Sequence, residues 1–103
     1  MIDEIKLGQA QHRGIRAAEL LENSLLQEAF QYLEAEYLKA WRFTKVRETE
    51  PRERLWQAIQ ILGIIQEHLR LHVTNGRVAA ADLRRLSEEA SNGRRKPSPG
   101  AVY

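Results

Sequence analysis

His68 and His72 stand four residues apart, a spacing that puts two imidazoles on one helix face, where both can address one metal ion. A zinc site of the usual kind needs three or four protein ligands. The chain has no cysteine, no His-Glu-x-x-His run and only one further histidine, His12. The expectation is therefore no metal and no cofactor, with the two imidazoles near a helix end where positive charge suits the dipole. Acid–base chemistry would need two carboxylates converging in a cleft. Glu34 and Glu67 are the pair that a helical hairpin could bring near one another, and solvated rim charges describe them better. No Gly-rich loop follows a strand pattern, so no phosphate cradle is expected. These residues predict a non-enzyme with no small-molecule substrate.

Charge is the other source of chemistry. The 103 residues carry a net charge of +2. Residues 1–76 hold 10 Lys/Arg against 11 Asp/Glu, whereas residues 77–103 hold six basic residues against three acidic. Arg13 and Arg16, three apart, and the C-terminal Arg94, Arg95 and Lys96 are the candidate nucleic-acid contacts, of a sequence-independent kind. Arg47, Glu48, Glu50, Arg52, Glu53 and Arg54 form a mixed-charge cluster that reads as a soluble hairpin tip. There is no apolar run of membrane-spanning length and no secretory leader pattern at Met1–Lys6. With no cysteine, an intracellular compartment or a virus particle assembled inside a cell fits this composition; a secreted or membrane protein does not.

The elements that must position these groups read as all-α. Residues 1–11 have no sustained period and are expected as a flexible N-terminal arm. Residues 12–91 form the helical domain, and residues 92–103 a disordered basic Pro/Gly/Ser tail. A short helix over 12–22 breaks at Asn23-Ser24, where Ser24 and Gln27 have the spacing of a capping box. A long helix follows, with Leu26, Phe30, Leu33, Tyr37 and Trp41 in one stripe. After a polar turn, Pro51 opens a second long helix whose Leu55, Ile59, Leu62, Leu69 and Val73 follow a heptad-like seam. Asn75-Gly76 reads as its C-cap, and a further short helix covers 77–90. The expected fold is a long antiparallel hairpin flanked by two short helices.

The second long helix is apolar over more than one side. Trp56, Ile61, Ile64, Ile65 and Leu69 exceed what one partner helix can cover. They are the candidate interaction surface, for a homo-oligomer or a larger assembly. Gly63 would let another helix approach closely.

The run Arg16-Ala-Ala-Glu-Leu-Leu, then Glu28-Ala-Phe with Trp41-Arg42, then Arg52-Glu-Arg-Leu-Trp56 and the Asn75-Gly76 pair, resembles short helical proteins of tailed bacteriophages. The resemblance covers about residues 13–83. It implies a place in head assembly or DNA packaging, as a virion or assembly protein that works by helix packing and oligomerisation. It implies no catalytic residue. The small terminase subunit, which forms rings through a helical hairpin and helps load DNA, is one such protein; this chain lacks a separate DNA-reading domain. A small adaptor or inhibitor of a host protein is the remaining alternative.

Overall fold

A computed structural model describes residues 3–94. The described residues form three helices and no strand: α1 (Glu4–Glu22), α2 (Ser24–Phe43) and α3 (Thr49–Arg94). The fold is all-α, as the periodicity predicts. α1 and α2 run end to end along one side, and α3 returns antiparallel to both. The result is one layer of two helices, 86 × 28 × 20 Å, with a radius of gyration of 23.5 Å. A compact chain of this length would have a radius of gyration of about 13 Å.

Three boundaries differ from the sequence-based expectation. The arm expected over 1–11 is helical from Glu4, because Asp3 caps it: its carboxylate accepts hydrogen bonds from the Ile5 and Lys6 amides at 2.9 and 3.4 Å. The break after α1 is present, but its cap is Asn23 rather than Ser24. Asn23 is extended, and its side-chain oxygen accepts from the Leu26 amide at 2.9 Å. Gln27 does not close a capping box; its Nε2 donates to the Leu21 carbonyl at 2.7 Å and ties the two helices across the break. The third difference is the largest. Asn75-Gly76 does not end the helix, and α3 continues for 46 residues, about 69 Å at the usual helical rise. The short helix expected over 77–90 is therefore the last part of α3. Asn92 to Arg94 also belong to α3; Arg95, Lys96 and the rest of the expected tail lie outside the described residues.

The reason lies in Gly76. A C-cap glycine takes a positive φ, and no described residue has one. Gly76 stays helical because α1 lies directly on it. A Cβ at Gly76 would lie 2.8 Å from the Gly14 Cα and 3.1 Å from the Ala10 carbonyl oxygen. A Cβ at Gly14 would lie 2.8 Å from both the Gly76 Cα and the His72 carbonyl oxygen. The two backbones touch here, and Ala17 and Ala79, 4 % and 3 % exposed, close the crossing one turn further on. Gly63, by contrast, has open space around it.

At the other end, Trp41, Thr44 and Arg52 hold the hairpin shut. Thr44 caps α2: its hydroxyl and amide donate to the Trp41 carbonyl at 2.6 and 3.1 Å. Arg52, on the first turns of α3, donates from Nη1 to the Thr44 hydroxyl and carbonyl oxygens at 2.9 and 3.2 Å. Its guanidinium also lies over the Trp41 ring, 4.3 Å from the centroid. Lys45 and Glu48 close the turn between them, the Lys45 amide donating to the Glu48 carboxylate at 2.8 Å.

Candidate functional site

The seam that α3 turns toward α1 and α2 is built from Leu55, Ile59, Leu62, Gln66, Leu69 and Val73, then Gly76, Ala80 and Leu83. These residues are buried or half-buried, and they step by 4 and 3 without interruption. α1 approaches closely, with Gly14 and Ala17 buried. α2 lies less tightly on α3, and no residue of α2 is fully buried. Its stripe of Leu26, Phe30, Tyr37 and Trp41 is half-buried, and Leu33 is exposed. Among the described residues, the only buried hydrophobic side chains are Ala17 and Ala79, and none is fully buried.

On the side of α3 opposite that seam lies a second apolar row. Ile64, Leu71 and Val78 recur every seven residues and are 65 %, 53 % and 57 % exposed. A seven-residue step returns to nearly the same helix azimuth, so the three stack along one line. Ile61 lies beside that line, also exposed. The five residues expected to form one interaction surface therefore separate. Ile61 and Ile64 belong to the outer row. Trp56 and Ile65 are exposed on the flanks. Leu69 is half-buried in the seam, lining the α1–α3 groove with Leu20 and His72. Leu71 and Val78 complete the outer row; the seven-residue step was the signal for them. α1 and α2 add exposed apolar side chains of their own, among them Ile15, Leu25 and Tyr32.

Arg13 and Arg16 are both exposed and line the same α1–α3 groove as His12 and His72. Neither enters an ion pair among the described residues. Arg94 falls in the last turn of α3, 22 residues along the chain from His72.

Glu67 pairs with Arg70 at 3.3 Å on an exposed face, and Glu34 is exposed on α2. His68 and His72 lie in the middle of α3, not at a helix end. Their rings meet edge-on, with centroids 4.6 Å apart and Nε2 atoms 3.2 Å apart. Among the described residues no third His, Asp or Glu joins them in a metal-binding group, and no helix is long and apolar enough to cross a membrane.

No family model matches the chain, and no curated protein or solved structure matches it either.

Proposed function

We propose that this chain is a non-enzymatic assembly protein that works by packing its helical hairpin against further copies of itself. The observation that carries this reading is the missing second layer. A helix stripe is stable when another element covers it, and domains are built from at least two packed layers. Here a single layer 86 Å long leaves Ile64, Leu71 and Val78 open on its back. Exposed apolar rows of this extent mark interaction surfaces. A second copy is the occupant that matches this layer in length and carries the same heptad spacing. Oligomerisation is also a common remedy for a chain too small to close its own core.

The resemblance to short helical proteins of tailed phages puts that packing in head assembly or DNA packaging, in the host cytoplasm or the finished virion. The chain would serve there as a homo-oligomer or as a piece docked on a larger phage assembly. Composition tests the setting: purified particles and precursor heads of the source phage are probed for the chain. Presence in both makes it a virion component, presence in precursors alone makes it a transient assembly factor, and absence from both removes the phage-assembly reading.

A DNA-contacting packaging factor is the second reading, favoured by Arg13 and Arg16 on the α1–α3 groove, which form no ion pair among the described residues. Filter retention of duplex DNA over a salt series tests it. Phosphate contacts by Arg13 and Arg16 predict that each alanine substitution lowers the salt slope by about 1. No retention at low salt removes this reading.

A further inference from the structure

We propose that His68 and His72 form an open, two-nitrogen site for a late first-row divalent cation of the zinc class, at the rim of the α1–α3 groove, with His68 exposed and His72 half-buried. The inference stands apart from the self-association reading. Its basis is the bite of the pair. The two Nε2 atoms lie 3.2 Å apart. With metal–nitrogen bonds of about 2.0–2.1 Å, a tetrahedral angle needs the two nitrogens about 3.3–3.4 Å apart, and a right angle about 2.8–3.0 Å. The observed separation falls between the two, so an ion can be seated with side-chain adjustments of a few tenths of an ångström. The rings stand T-shaped, 85° between their planes with centroids 4.6 Å apart, and the Nε2–Nε2 separation sets the bite.

The ligand chemistry selects the ion. Imidazole nitrogen suits zinc, nickel and copper, and not the hard ions calcium and magnesium. Each ring would ligate through Nε2 as the tautomer that carries its proton on Nδ1. Two protein ligands leave at least two coordination positions free, for water or for a donor from another molecule. The helix itself fixes the geometry: residues four apart on 46 continuous helical residues hold the two imidazoles in register.

Calorimetric titration of the full chain with ZnCl2, paired with histidine-ring NMR, tests this. Saturable binding is expected at one ion per chain, or one per two chains if a second copy fills the free positions. Either stoichiometry supports the site, provided the His68 and His72 ring signals shift together. His68→Ala and His72→Ala should each weaken binding at least tenfold, while His12→Ala leaves it unchanged. Both imidazoles reach solvent, so the variants should keep their helical circular dichroism. A variant that loses helicity is replaced by the corresponding glutamine substitution, which retains a polar side chain. Absence of saturable zinc binding overturns the proposal, and so does binding that survives the His68 and His72 substitutions.

Discussion

Replacing Gly8, Gly14, Gly63 and Gly76 by alanine, one at a time, should split them into two pairs of opposite sign. In an exposed helix interior Gly→Ala stabilises by about 0.5–1 kcal/mol, because alanine loses less backbone freedom on folding. Gly8 and Gly63 have nothing within 4 Å of an added Cβ, so each should show that gain. At Gly14 and Gly76 the added carbon would sit 2.8 Å from backbone atoms, where ordinary contact begins at 3.4 Å. Backbone cannot rotate away as a side chain can, so α1 and α3 must part by about 0.6 Å, at a cost typical of overpacking, about 1–3 kcal/mol. Set against the propensity gain, Gly14→Ala and Gly76→Ala should be neutral to about 2 kcal/mol destabilising. The double variant should cost less than the sum, because the first carbon has already opened the gap that the second needs. Urea unfolding followed by circular dichroism at one fixed protein concentration reads all five variants. If Gly76→Ala stabilises as much as Gly63→Ala, the helices do not meet at Gly14 and Gly76 and the crossing is refuted.

Three further outcomes follow from the geometry. Arg52→Ala removes two hydrogen bonds and the stacking on Trp41, and should cost about 1–3 kcal/mol by urea unfolding; Arg52→Lys should recover only part, since an ammonium lacks the planar face that lies on Trp41. Asn23→Ala should cost about 1 kcal/mol through loss of the α2 cap, with Asn23→Ser close to neutral in the same assay. Trp56→Ala and Ile64→Ala should change the unfolding of a dilute monomer by less than about 1 kcal/mol, because both side chains are mostly exposed; a loss of several kcal/mol at high dilution would mean that they are buried within one chain.

Much of this fold is legible from residue spacing. The break at Asn23, the turn before Pro51 and the stripe from Leu26 to Trp41 follow from capping chemistry and the helical period. The end of α3 does not, because Asn75-Gly76 carries two meanings. A glycine after asparagine is a common helix stop, yet a glycine is also what a second backbone needs in order to touch a helix. Periodicity separates the two meanings: Leu69, Val73, Gly76, Ala80 and Leu83 keep the 4-and-3 step straight through the supposed stop. With α3 continuous, Val78 joins Ile64 and Leu71, and the expected interaction surface of Trp56, Ile61, Ile64, Ile65 and Leu69 becomes a narrower row on the back of the helix. Leu69 belongs to the seam. Arg52 was hidden for another reason: its partners, Thr44 and Trp41, lie across the turn, and a mixed-charge cluster does not reveal which charge folds inward.

The most direct test of the central claim is sedimentation equilibrium of the full chain across a hundredfold range of concentration, beside Leu71→Lys. Two or more copies per particle are predicted at the upper end for the natural chain, with Leu71→Lys monomeric and equally helical. A natural chain that stays monomeric throughout the range, with its helicity intact, would contradict it.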